Sequence, residues 1–199
     1  FESSESVFVA TGWDYPDALS ASAAAGRLGA PVILVPGTAG GLDAPTAALV
    51  DRLGATSGYV VGGAAVVSAG IAAALDARIE TVSRLAGTDR YTTSVAINQA
   101  IFPDSARAFI ANGAGFADAL AGAAFAGAAG APLYLSSRGC VPDAALLDFR
   151  DRLDVGQLTL LGGPGVLTAG IEALTSCAAG TPTPDGDEAL RAAIAARLA

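Results

Sequence analysis

The apolar positions of this chain fall in short, nearly unbroken runs rather than in strict alternation. Ala108-Phe109-Ile110-Ala111, Ala131-Pro132-Leu133-Tyr134-Leu135 and Leu158-Thr159-Leu160-Leu161 are such runs, and the first and last stop at Asn-Gly and Gly-Gly. Runs of this length, closed by turn residues, predict strands buried on both faces. Between them, Ala119–Ala129 has helix-favouring composition and ends at Gly130, while Pro142–Leu153 sets Leu146, Leu147, Phe149 and Leu153 among Asp and Arg in an amphipathic pattern. Thr168–Cys177 predicts a further helix. The first half has the same order, with strands near Val7, Val32 and Tyr59 and helices near Asp17, Pro45 and Ser68. Asp89–Phe102, apolar at Val95, Ile97, Ile101 and Phe102, predicts the helix that joins the halves. This succession predicts an α/β protein built on parallel sheets with helices on both faces.

The order recurs because the residues do. V-F-V-A-T-G-W-D-Y-P-D-A-L-S-A-S-A-A-A-G-R-L-G-A-P-V-I-L from Val7 returns as A-F-I-A-N-G-A-G-F-A-D-A-L-A-G-A-A-F-A-G-A-A-G-A-P-L-Y-L from Ala108, with about half of the positions identical. V-V-G-G-A-A-V-V-S-A-G-I from Val60 returns as L-L-G-G-P-G-V-L-T-A-G-I from Leu160. A period of about one hundred residues is a small domain rather than a solenoid turn. The chain accordingly divides into a first module over 1–83, a second over 84–179 and a tail over 180–199. In the tail, G-T-P-T-P-D-G-D predicts a linker, and Leu190, Ile194 and Leu198 predict one stripe of a short helix.

Composition narrows the partners. With 199 residues, 52% hydrophobic and 15% charged, the chain can bury a sizeable core, and its Ala and Gly content favours close backbone packing. Nineteen acidic residues against eleven basic ones leave a charge of -8, which argues against nucleic acid, whose phosphates need clustered cations. Every basic residue is Arg, a fork suited to isolated carboxylates or phosphates. The longest uncharged run, Ala119–Ser137, is broken by Gly130 and Pro132, so no membrane span is expected. The start at Phe1, without Met or signal peptide, is read as that of a mature or excised fragment. Cys140 and Cys177 read as a disulfide, and the chain hence as exported; two buried free thiols are the other reading.

The candidate chemistry is sparse. Asp17 and Asp118 recur in D-A-L after a strand and a glycine-containing turn. They are read as helix N-caps in preference to metal ligands or general bases at the strand ends, because neither has a His, a Cys or a second recurring acid beside it. Gly62-Gly63 and Gly162-Gly163 are neither G-x-G-x-x-G nor a P-loop, and predict tight turns with a close backbone approach. Thr11, Ser20, Ser68 and Cys140 lack a base, since the chain has no His and no Lys. Enzymatic activity, a metal and a cofactor are therefore not expected. In R-L-A-G-T-D-R-Y from Arg84, Asp89 can cap the next helix. Arg84 and Arg90 either pair with carboxylates such as Asp89 in a latch between modules, or meet an anionic ligand.

R-L-A-G-T-D-R-Y-T-T, F-I-A-N-G-A-G-F-A-D-A-L-A-G, G-A-P-L-Y-L and L-L-G-G, in that order, resemble the cell wall binding repeat 2 family of clostridial surface proteins and exported actinobacterial proteins, with likeness from Val7 to Cys177. The resemblance implies tandem Toprim-like or Rossmann-like modules, three of which normally pack into a triangle. It implies noncovalent anchoring of a surface protein to an anionic polysaccharide or teichoic-acid-like polymer of a Gram-positive cell wall, without catalysis. An Ile-Leu-Leu-type anchoring segment would fall on Val32, Ile33 and Leu34 and on Leu133, Tyr134 and Leu135, joining Arg84, Arg90 and Tyr91 as candidate ligand contacts. This chain departs from the pattern in both copies of that segment, and its first module has no R-x-x-G-x-D-R-Y block. The alternatives are self-association of a surface protein through its Ala-Gly faces and, on fold likeness alone, a metal-assisted hydrolase using Asp17 or Asp118.

Overall fold

The computed structural model describes residues 1–178, so the expected linker and helix over 180–199 lie outside the described residues. Two parallel sheets are flanked by helices. The first orders β1 (Ser6–Thr11), β2 (Val32–Val35), β3 (Ser57–Val61) and β4 (Thr81–Leu85) as β2-β1-β3-β4. The second orders β5 (Arg107–Asn112), β6 (Leu133–Ser136) and β7 (Gln157–Leu161) as β6-β5-β7. The registers match: Phe8 faces Val32 as Phe109 faces Leu133, and Val9 faces Ile33 as Ile110 faces Tyr134.

Helices α1 (Pro16–Leu28), α2 (Ala44–Leu53) and α3 (Ala69–Asp76) serve the first sheet; α5 (Ala117–Ala128), α6 (Asp143–Leu147) and α7 (Ala169–Glu172) serve the second; α4 (Arg90–Ile101) joins them. Their ends follow local chemistry. Pro16 opens α1, and Gly29 closes it in the left-handed region at φ 60°. Asp43 caps α2 by accepting from Thr46 N at 2.8 Å. Each sheet is covered on both faces: Val7, Val9 and Ile33 pack under α2 and α3, while Phe8 and Ala10 pack against α1 and α4. In the second sheet Ile110 and Tyr134 pack with Phe149 and Ile171 on one side, and Leu133 and Leu135 with α1 and α5 on the other. Among the described residues no helix is long and apolar enough to cross a membrane.

The modules meet through α1, α4 and α5. A Cβ built on Gly26 of α1 would lie 2.7 Å from the Cα of Gly127 in α5, so only glycine lets these backbones approach so closely. Arg27 donates across the junction to Gly130 O at 3.1 Å. Asn98 Nδ2 of α4 donates to Leu133 O at 2.8 Å, and Leu135 N donates to Ser94 Oγ at 3.1 Å, so α4 satisfies the outer edge of β6.

Three elements differ from the pattern expected of the chain. β4 was not anticipated; its run T-V-S-R-L alternates and is half exposed because it is the edge of the first sheet. Since β4 ends at Leu85, the boundary between 83 and 84 cuts a strand. The helix expected over Pro142–Leu153 is α6 followed by a π-helical turn, Asp148–Arg152. Arg152 donates to Asp148 and to Phe102 O, and Tyr134 OH donates to Asp148, a buried network the widened turn accommodates. The helix expected over Thr168–Cys177 stops after Glu172, because Leu174 turns left-handed at φ 50° and Thr175 N donates back to Gly170 O. Residues 175–177 then lie extended beside Val141, where Cys140 and Cys177 form a disulfide with Cα atoms 4.9 Å apart.

Candidate functional site

The first sheet is the better place for a site, because its connections diverge between β1 and β3. From β1 the chain runs through α1 to β2 on one side, and from β3 through α3 to β4 on the other. Open parallel sheets bind ligands outside the carboxyl ends of strands at such a switch point. A cleft of about 470 Å³ lies there, lined by Thr11 at the end of β1, Asp14 and Asp17 after it, Gly63–Val66 after β3, and Gly87–Arg90 after β4.

The recurring Asp and Gly-Gly prove to be one device. Asp17 and Asp118 are not the N-caps expected: Tyr15 and Phe116 hold those positions without side-chain caps, and each Asp stands second in its helix. From there the carboxylates press on the glycine turns of the neighbouring strand. A Cβ on Gly62 would lie 2.6 Å from Asp17 Oδ2, and one on Gly162 would lie 2.9 Å from Asp118 Oδ2. Both glycines also have positive φ, 100° and 124°. Burial, then the neighbouring Asp14 charge, pushes the Asp17 carboxyl above its ordinary range, with Arg90 pulling the other way.

The R-L-A-G-T-D-R-Y block is a junction rather than an Arg-Asp pair. Asp89 caps α4 in a full capping box, accepting from Thr92 N at 2.8 Å while Thr92 Oγ1 accepts from Asp89 N at 3.1 Å. Neither Arg pairs with it. Arg84 donates to Gly62 O at 2.6 Å and more weakly to Ser68 O, pinning the glycine turn to the start of α3. Arg90 donates to Gly113 O at 2.7 Å within the second module and lies 3.7 Å from Asp14 of the first, in the cleft. The two guanidinium groups therefore do not converge on one ligand: Arg90 lines the cleft, and Arg84 lines a separate hollow beside α3.

The remaining candidates are mostly core. Ile33, Leu133 and Leu135 are buried in the core, while Tyr91 lies half-buried against Gly113. Leu34 is 58% exposed, because side chains alternate along β2 and none of the described residues covers it. Leu34 lines a second groove of about 410 Å³ with Trp13, Tyr15, Phe116 and Leu120. Residue patterning missed that groove; the signal was present in Trp13-Asp14, which replaces Ala114-Gly115 of the second copy.

Parallel sheets sandwiched by helices, with a cleft over the strand ends at a switch point, define an α/β architecture of the open, parallel-sheet class. The chain belongs to the Cell wall binding domain 2 (CWB2) family, whose model matches residues 1–72 and 84–172. Among solved structures it is similar to Cwp6 from Clostridium difficile, with a TM-score of 0.78 and 26% identity over 85% of this chain and 27% of that one. It is likewise similar to Cwp8 from Clostridium difficile, with a TM-score of 0.75 and 27% identity over 86% of this chain and 29% of that one. The chain thus spans less than a third of either structure's length. No curated protein matches it.

Proposed function

We propose that this chain is a noncatalytic module of an exported bacterial protein that holds it to an anionic polymer of a Gram-positive cell wall, with the strand-end cleft as the contact. The observation that carries the reading is the family match over both modules. The cleft chemistry supports it: Asp14 and Thr88 offer partners for sugar hydroxyls, and Arg90 is the cation in the lining for an anionic group. Because the chain carries a charge of -8, attraction to a polyanion is local and screened by salt rather than long-range.

The test is retention of the purified chain on isolated Gram-positive walls, before and after their anionic polymers are removed, at low and high salt. Saturable retention that disappears on stripping and weakens with salt is expected. Arg90→Gln should reduce it by roughly tenfold, the effect of one charge-assisted contact. Equal retention on stripped walls would overturn the reading. A second reading, self-association, is favoured by the exposed Leu34, Phe116, Leu120 and Phe125. Sedimentation at increasing concentration separates the two.

A further inference from the structure

The outer edge of β3 is closed by β4, and the contacts that close it have no counterpart among the described residues of the second module. Gly62 N donates to Leu85 O at 2.9 Å, Thr81 N donates to Thr56 O at 3.1 Å, and Arg84 donates to Gly62 O at 2.6 Å. Gly62, Val60 and Val61 are all buried there. β7 stands where β3 stands, and among the described residues no strand lies outside it. Gly162 is exposed and Leu160 and Leu161 are half-buried. No described residue donates to Gly162 O or accepts from Gly162 N.

Successive residues of a strand turn their backbone groups to opposite sides. Gln157 N faces β5, donating to Ala106 O at 3.0 Å, so Leu158, Leu160 and Gly162 turn theirs to the open edge. The described chain does not return to meet them. After α7 it turns at Leu174 and runs beside Val141, held there by the disulfide between Cys140 and Cys177. An unpaired edge alone is ordinary for a short strand. What distinguishes this one is a charge placed next to it. Ala72 of α3 lines the hollow that holds Arg84, and S-A-G-I-A from Ser68 returns as T-A-G-I-E from Thr168, so the position of Ala72 is taken by Glu172, which is exposed. The second module therefore keeps the carbonyl that accepts from an arginine and adds a carboxylate at the wall of the same hollow, while among the described residues no arginine donates there.

We propose that the outer edge of β7 receives an extended segment of another protein that carries an arginine and adds to the second sheet as a parallel strand. The arginine lies opposite Leu160, as Arg84 lies opposite Val60, and its guanidinium donates to Gly162 O and pairs with Glu172. A leucine or similar apolar residue follows it opposite Leu161, as Leu85 does opposite Val61. Two places before the arginine the segment carries a small residue. Val82 holds that place opposite Gly58, where an added Cβ would lie 3.3 Å from Val82 Cγ2, whereas β7 has the full side chain of Leu158. Backbone bonds supply affinity, and the arginine selects the segment. This inference is independent of the wall-binding reading.

The probe is a peptide with the sequence of Thr81–Thr88 bearing Val82→Ala, together with the same peptide bearing Arg84→Gln and one of scrambled order. Hydrogen exchange of the full chain is followed with each peptide, and affinity is read by anisotropy of the labelled peptide. Slower exchange at Leu158, Leu160 and Gly162, with the first sheet unchanged, is expected. The glutamine peptide should bind about tenfold more weakly. Glu172→Gln in the chain should weaken the arginine peptide about threefold, as for one exposed ion pair, and leave the glutamine peptide unaffected. Equal binding of all three peptides, or protection that spares β7, would overturn the proposal. Slow exchange of these amides in the free chain would overturn it as well: if independent of concentration, the chain covers its own edge, and if it grows with concentration, a second copy does.

Discussion

The two modules have the same strand order and register but are covered differently. In the second, β6 is overlaid by α4 and α1, so Leu135 is 1% exposed; its counterpart on β2, Leu34, is 58% exposed. The helices reverse the comparison. Leu19 of α1 is 6% exposed against the second module, while Leu120 at the same position of α5 is 55% exposed. The junction is thus head-to-tail: it uses the α1 face of one module and the β6 face of the other, and among the described residues leaves the matching faces of each uncovered. The far edges also differ. β3 is completed by β4, whereas among the described residues β7 has no outer strand and the chain beyond it is bridged to Val141 and clipped to Cys140 by the disulfide. Equal patterns therefore carry unequal energetic weight, depending on what packs on them.

The largest test of this contrast is the clip. Replacing both Cys140 and Cys177 by Ser opens a loop with a sequence separation of 37 residues, at an expected cost of about 4 kcal/mol from loop-closure entropy. Hydrogen exchange should rise around residues 167–178 and stay unchanged in the first sheet. An equal rise in both sheets would show that the staple is not local to the second module.

Next is Asp148, whose partner Tyr134 stands where the first module has Ile33. Asp148→Asn should cost about 3 kcal/mol in urea unfolding, because Arg152 loses its buried partner. Burial pushes the Asp148 carboxyl up, but bonds from Arg152, Tyr134 and Gln99 override this and hold it below its ordinary value. A depressed carboxyl stabilises the fold above the unfolded value and loses that contribution as pH falls through the folded one. The native chain should lose stability in acid below about pH 4, and Asp148→Asn should flatten that arm. An unchanged acid profile would remove Asp148 from the account.

The equivalent leucines give the smallest and cleanest contrast. Leu135→Ala should cost about 3 kcal/mol, in the range for a fully packed leucine. Leu34→Ala should stay within about 0.5 kcal/mol, as at an open surface. Equal costs would mean that another molecule covers Leu34 in solution, which sedimentation would detect.

Most of the architecture was legible in the residues. The buried runs, their turn residues and the recurrence predicted the strands of both sheets except β4. That strand escaped because an edge strand alternates and is half wet, and T-V-S-R-L is too short to stand out. The π-helical turn escaped because the Asp148–Arg152 network it carries draws on Tyr134 and Phe102, which lie outside the local pattern. The site was less legible. Cys140 and Cys177 were read as a pair and are bonded, and Asp89 caps α4 as read. Asp17 and Asp118 recur for a reason no local rule contains: the carboxylate of one strand's helix fills the space above the next strand's glycine turn.

The sequence by itself determined the α/β class, the recurrence and the positions where the backbone must turn, because periodicity, proline, glycine and capping act over a few residues. Tertiary structure alone decided which equivalent positions are buried, which arginine faces a cleft and where an aromatic groove lies open. Those outcomes depend on which module packs against which face, and two segments that share one pattern of buried and turn positions do not carry that choice in their own residues.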